Sequence, residues 1–197
     1  MTPPLGILAF GSLIDRPGWE IEQAIIARKT GILTPFGIEF ARTSRTRGGA
    51  PTLVPVDSGG GKVLAHILVV DLPEREAQDR LWRRETNRIG QGGHYVRPRN
   101  PGLDTLIIDR YENLAGVSVV LAARFPANIT PLNAEVLANL AIKSAHELDD
   151  GRDGISYLLD AKRNGIVTPL SGPYEREILR RMKTASLEDA LKKIRGG

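Results

Sequence analysis

The segment Lys62–Gly90, KVLAHILVVDLPEREAQDRLWRRETNRIG, changes its period at Pro73. Before that point Lys62–Asp71 is an almost unbroken apolar run with β-branched Val63, Ile67, Val69 and Val70, the texture of a buried strand. After it the apolar residues Ala77, Leu81, Trp82 and Ile89 recur at spacings of three and four, which predicts a helix from Pro73 to about Arg88. Pro73 suits the first helical position, and Glu74 and Glu76 lie in the first turn, where the helix dipole favours negative charge. Gly90-Gln91-Gly92-Gly93 ends the pattern.

Toward the N-terminus, Asp57-Ser58-Gly59-Gly60-Gly61 reads as a hairpin turn joining Lys62–Asp71 to a strand at Thr52–Val56. Earlier still, Ile32-Leu33-Thr34 and Phe36–Ala41 are β-rich pieces broken at Pro35, and Leu5–Phe10 (LGILAF) is a short buried strand ended by Gly11. Between them, Asp15 as a cap and Pro17 near a first turn predict a helix to about Arg28. Toward the C-terminus, Leu103–Tyr111 and Val117–Phe125 read as strands around Asn113–Gly116. Beyond Pro126 the periodicity turns helical over Pro131–Leu148, Ile155–Asn164, Tyr174–Lys183 and Leu187–Ile194, the last capped by Ser186 with Glu188 and Asp189 in its first turn. Strands with one embedded helix, followed by helices, favour an α+β fold over a doubly wound parallel sheet. The expected architecture is a mixed, barrel-like sheet with surrounding helices in a single domain over 1–197, with extra helices from about residue 130.

The balance of 41% hydrophobic and 25% charged residues is that of a globular protein. The absence of cysteine excludes a disulfide scaffold, a thiolate metal site and a cysteine nucleophile. Met1-Thr2-Pro3-Pro4 lacks the basic start of a secretory leader, and no stretch approaches the ~20 apolar residues of a membrane span, so a cytoplasmic protein with no membrane partner is expected. The net charge of +4 admits nucleic-acid binding, but no aromatic-basic alternation marks a base-stacking platform, and none is expected.

Glu85 stands out. It lies four residues after Leu81, three after Trp82 and four before Ile89, in the middle of the stripe expected to face inward. A carboxylate is expensive to bury unless it is paired, protonated or bound to something. Burial raises a carboxyl from about 4.3 toward the range useful to a general acid/base. The competing reading is an ion pair with Arg88, Arg83 or Arg84, which works in the opposite direction. The turn Phe10-Gly11-Ser12-Leu13 after the first strand is the second feature. Glycine there lets the backbone approach a ligand closely, and successive amides can receive a carboxylate or an oxyanion.

Together these segments resemble the γ-glutamyl cyclotransferase superfamily. Phe10–Leu13 is similar to its (Tyr/Phe)-Gly-Ser-Leu signature. Phe40-Ala41-Arg42-Thr43-Ser44 with Arg47-Gly48-Gly49-Ala50-Pro51 resembles the Phe…Ser…Arg-Gly-x-Pro segment of the ChaC branch, the glutathione-degrading cyclotransferases. Arg84-Glu85-Thr86 with Gly92-Gly93 and Tyr95 is similar to its Arg-Glu-Lys-Gly-Gly-Tyr stretch, although Asn87–Gln91 lengthens the link. Gly154–Leu158 and Ser171–Glu175 resemble its C-terminal Gly-x-x-Tyr and Ser-Gly pieces, and the last helix looks like an addition.

The resemblance implies an enzyme that releases 5-oxoproline from a γ-glutamyl compound by attack of the substrate's own α-amino group, with Glu85 as general acid/base. It implies that Phe10, Gly11, Ser12 and Leu13 bind the γ-glutamyl moiety, with Ser44, Arg47, Tyr95 and Tyr174 as further substrate contacts. For Arg47 the alternative is a solvated loop arginine, and for the two tyrosines a place in the core. The leaving group and oligomeric state stay open. The rivals are a cyclotransferase for γ-glutamylated amines, a non-catalytic module binding a small metabolite, and a basic RNA-associated protein. His66, His94 and His146 have no metal-ligand spacing, so neither metal nor cofactor is expected, and His94 is a rival base. Ser12 lacks the Gly-x-Ser-x-Gly elbow of a serine hydrolase, and Asp149–Gly154 reads as a helix connection in place of a calcium loop.

Overall fold

The apolar run near the start of the chain is strand β1 (Leu5–Ala9), buried along its whole length, in a computed structural model that describes residues 4–196. Met1-Thr2-Pro3, used in the leader reading, and Gly197 lie outside the described residues. In chain order there follow α1 (Trp19–Glu22), β2 (Ile25–Leu33), β3 (Gly37–Ser44), β4 (Ala50–Val56), β5 (Leu64–Val70), α2 (Glu74–Glu85), β6 (Ile107–Leu114), β7 (Val117–Arg124), α3 (Ala134–Glu147), α4 (Gly154–Arg163), α5 (Ser171–Met182) and α6 (Leu187–Arg195). The fold is α+β. Two compact units interleave along the chain, one from the segment up to Thr34 with Leu64–Pro126, the other from Pro35–Val63 with the segment from Ala127 onward.

The first unit is organised by a five-stranded sheet in the order β2-β5-β1-β7-β6. It is mixed, because β1 runs parallel to β7 while every other neighbouring pair is antiparallel. The expected barrel-like closure is absent among the described residues, where β2 and β6 remain edges. Strand β2 slips register against β5 twice, between Ile25 and Ala27 and between Lys29 and Ile32. Such bulges increase local twist. The sheet curls until Lys29 Nζ of one edge donates to Ala115 O in the β6–β7 turn at 3.0 Å, without any ladder between the two edges.

Three further sequence expectations need correction. The helix expected to reach Arg28 is the single turn α1, preceded by Gly18 rather than Asp15. Ile25 onward instead forms β2, since β-branched residues suit a strand and pairing with β5 occupies the backbone groups that a short helix end leaves open. Gly59–Gly61 is not a hairpin turn: β4 pairs with β3, β5 joins the five-stranded sheet, and Gly61 exchanges backbone hydrogen bonds with Ile38 at 2.8 and 3.1 Å. Helix α2 ends at Glu85, short of Arg88, where Asn87 takes a φ of 56°.

The second unit packs the β3–β4 sheet and helices α3 to α6 around Ile38, Phe40, Leu137, Ile155, Leu158, Tyr174 and Ile178, all at most 1% exposed. Phe40 stands edge-on to Tyr174 and Tyr157, with ring centroids 5.4 and 6.2 Å away. Ser186 caps α6 as expected, its hydroxyl accepting from Asp189 N at 3.1 Å. Among the described residues no helix is long and apolar enough to cross a membrane.

Candidate functional site

Strand β1 delivers Phe10 in extended conformation to a 3-10 turn at Gly11–Leu13. Gly11 has a φ of 60°, a value glycine adopts without steric cost, so the chain can reverse immediately at the strand end. Leu13 is buried beneath the turn and Ser12 is half-buried. The C-terminal end of α2 meets this turn through Arg84. Its Nη2 donates to Ser12 Oγ at 3.2 Å and to Arg16 O at 2.8 Å, while Nη1 donates to Glu85 Oε1 at 2.7 Å. The guanidinium therefore joins the turn after β1 to the carboxylate at the helix end. Both side chains are largely covered, 15% exposed for Arg84 and 20% for Glu85. Glu85 Oε2 accepts no hydrogen bond from the described residues.

Glu85 is thus arginine-paired and half-buried, whereas the fully buried charged residues of α2 are Asp79 and Arg83, at 1% and 7% exposure. The expected inward stripe misses them because the glycine segment after α2 doubles back over the helix. Arg83 Nη1 donates to Gly93 O at 3.0 Å, and Tyr95 N donates to Asp79 Oδ1 at 2.7 Å. A Cβ on Gly93 would lie 3.0 Å from the Trp82 ring, so the segment packs close to the helix only as glycine.

Arg83 Nε also donates to Glu20 Oε2 at 2.7 Å, and Gly90 N donates to Glu20 Oε1 at 3.0 Å. Burial pushes the Glu20 carboxyl up, but these two hydrogen bonds and the charges of Arg83 and Arg80 outweigh it and hold it below its ordinary value. Asp79 follows the same pattern: burial raises it, and His94, the Tyr95 amide and Arg75 lower it further than burial lifts it. His94 Nδ1 lies 2.7 Å from Asp79 Oδ2, and its ring is 75% exposed. An ionised carboxylate only accepts, so Nδ1 is the donor of this pair and Nε2 faces away from Asp79.

Tyr95, in the same unit, is buried, and its hydroxyl accepts from Ile108 N at 3.0 Å, so it takes the core role. Ser44, Arg47 and Tyr174 belong to the other unit. Ser44 Oγ bonds to Thr46 Oγ1 at 3.2 Å. Arg47 donates to Arg152 O at 3.2 Å and stacks 4.6 Å above the Tyr157 ring, a held side chain in place of the solvated loop arginine. Tyr174 is wholly enclosed, its hydroxyl has no partner among the described residues, and burial pushes its phenol far up, so it too is a core residue. Of the residues singled out in the sequence, the structure joins Ser12 of the Phe10–Leu13 turn to Glu85.

The connecting residue, Arg84, entered the sequence reading as an ion-pair partner for Glu85 and as part of the Arg84-Glu85-Thr86 stretch, never as a link to the turn. Nothing in its spacing names Ser12, which lies 72 residues away. Among the described residues no group of three or more His, Cys, Asp and Glu side chains forms a metal cluster. No protein-family model matches this chain, and no curated protein matches it.

Proposed function

We propose that the chain is a cyclotransferase acting on γ-glutamyl compounds, with a cyclotransferase-like fold and a place in the cytoplasm. One observation carries the reading: Arg84 holds the Ser12 hydroxyl and the Glu85 carboxylate at once, at 3.2 and 2.7 Å. A carboxylate fixed beside a glycine turn is what the reaction needs. The substrate's α-amino nitrogen attacks its γ-carbonyl carbon, the new C–N bond closes a five-membered lactam, and the old amide C–N bond breaks. The ammonium releases one proton to water before it attacks; the second passes from the attacking nitrogen to Glu85 Oε2 and then to the departing nitrogen, a transfer worth roughly 10²–10⁴-fold in rate. No protein nucleophile is involved. The amides of Gly11, Ser12 and Leu13, at the start of a 3-10 turn, hold the α-carboxylate or polarise the γ-carbonyl. Ser44, Arg47 and Tyr174 are given no role.

The test is release of 5-oxoproline from a panel of γ-glutamyl peptides and amines, which also names the leaving group. Glu85→Gln is expected to lower turnover by about 10²-fold or more, with folding and ligand binding retained. A ligand that binds both proteins without yielding product would identify a sensor module instead.

The His94–Asp79 pair supports a second reading, in which His94 Nε2 carries the proton. It predicts that Glu85→Gln stays active while His94→Gln does not.

A further inference from the structure

A cavity of about 480 Å³ lies between α4 and α6. Each helix presents one face to it. Ser156 and Leu159 come from successive turns of α4, and Glu188, Leu191, Lys192 and Arg195 from α6 at spacings of three, four and seven. Leu159 and Leu191 give it apolar surface, and the remaining wall is charged or polar.

Most of these charges already have partners on their own helix. Arg163 and Asp160, which also line the cavity, stand 3.6 Å apart, and Lys192 stands 3.8 Å from Asp189. Two groups differ. Glu188 has no hydrogen-bond or ion-pair partner among the described residues. Arg195 is anchored from one side only: Nη2 donates to Asp153 Oδ2 at 3.1 Å and lies 3.5 Å from Ser156 Oγ. Asp153 is 0% exposed and simultaneously accepts from Ile155 N and Ser156 N at 2.9 Å, which fixes it as the cap of α4. A guanidinium held from behind by a buried carboxylate is a preformed anion receptor, and its Nε and Nη1 donors are used by no described residue.

Glu188 and Arg195 are two helical turns apart, about 10 Å along the axis at 1.5 Å per residue. A chain of two residues spans roughly 7 Å when extended, and a hydrogen bond of about 3 Å at each end lets it bridge that separation. We infer that the α4–α6 cavity binds a short zwitterion of dipeptide length, its carboxylate on Arg195, its ammonium on Glu188 and its apolar side chains against Leu159 and Leu191. A cavity of this size lies within the ordinary range of small-ligand sites.

The probe is alanyl-leucine, titrated calorimetrically into the full chain alongside its N-acetyl derivative and its C-terminal amide. Saturable binding of the free dipeptide is expected, at least ten-fold tighter than either blocked form. Glu188→Gln, an exposed and isosteric change, is expected to weaken the dipeptide at least ten-fold while leaving the N-acetyl form unaffected. Arg195→Gln is expected to remove discrimination between the dipeptide and its amide. If that variant unfolds for want of a partner to Asp153, Leu191→Gln supplies the second arm and weakens all three ligands. No saturation by roughly 10 mM dipeptide, above the 1 mM that corresponds to about −4 kcal/mol, overturns the assignment. Binding indifferent to Glu188→Gln, or equal affinity for the blocked and free forms, overturns it as well.

Discussion

Buried carboxylates in the two units meet different kinds of partner, although Asp153 of the second unit, paired with Arg195 at 3.1 Å, follows the pattern of the first. In the first, the buried acids are answered by cations: Glu20 by Arg83 at 2.7 Å, and Asp79 by Arg75 at 3.6 Å, with the His94 ring 2.7 Å away as a further donor. In the second, Glu39, at 0% exposure, is answered by neutral donors: Thr168 Oγ1 at 2.6 Å, its neighbour's amide Phe40 N at 2.8 Å and Leu170 N at 3.0 Å. A cation offsets a desolvated charge from any direction, whereas amides and hydroxyls must converge on it with good geometry. The acids of the first unit tie helix to loop through long side chains. Glu39 instead gathers the backbone at the start of α5 and thereby fixes where that helix begins.

Removing the cation should give the largest effect. Arg83→Met leaves Glu20 covered without a counter-charge and is expected to cost about 3–5 kcal/mol, read as a lower midpoint in urea unfolding with an unchanged slope. An effect under about 1 kcal/mol, the range of exposed pairs, would place Glu20 effectively in water and collapse the contrast.

Glu39→Gln keeps one acceptor oxygen but turns an amide toward donors, and about 1–3 kcal/mol is expected. A loss equal to that of Arg83→Met would mean that converging neutral donors matter as much as a counter-ion.

The smallest effect concerns acid. Asp79 is held below its ordinary value of 3.8. Its contribution is therefore present above that pH and disappears as pH falls through its depressed folded value. Asp79→Asn should lower stability at neutral pH and flatten the loss of stability on acidification below about pH 4. Parallel acid-unfolding curves for the two proteins would remove Asp79 from the account.

The legible parts of the fold were those whose causes are local. The Ser186 cap needs only Asp189 three residues on, and β1 needs only its own apolar run. Where the cause was distant, the reading failed. Glu20 finds Arg83 across 63 residues and Glu39 finds Thr168 across 129, so neither burial leaves a spacing to read. Residues 25–28 read as helix from the start signals at Asp15 and Pro17, and it is pairing with β5 that decides their conformation. The candidate site was half legible, since the glycine turn and the Glu85 helix each announce themselves, while the guanidinium between them does not.

The sheet whose edge strand β2 is tied to the β6–β7 turn by the Lys29–Ala115 hydrogen bond, with no ladder between its edges among the described residues, behaves as a cuff fastened by one stud. A ladder of amides would have to break in concert, but a lone ammonium can let go while β5, β1 and β7 stay paired. Breathing motions, amide exchange and the first protease cut in this unit should therefore begin along β2 and spread inward from that seam.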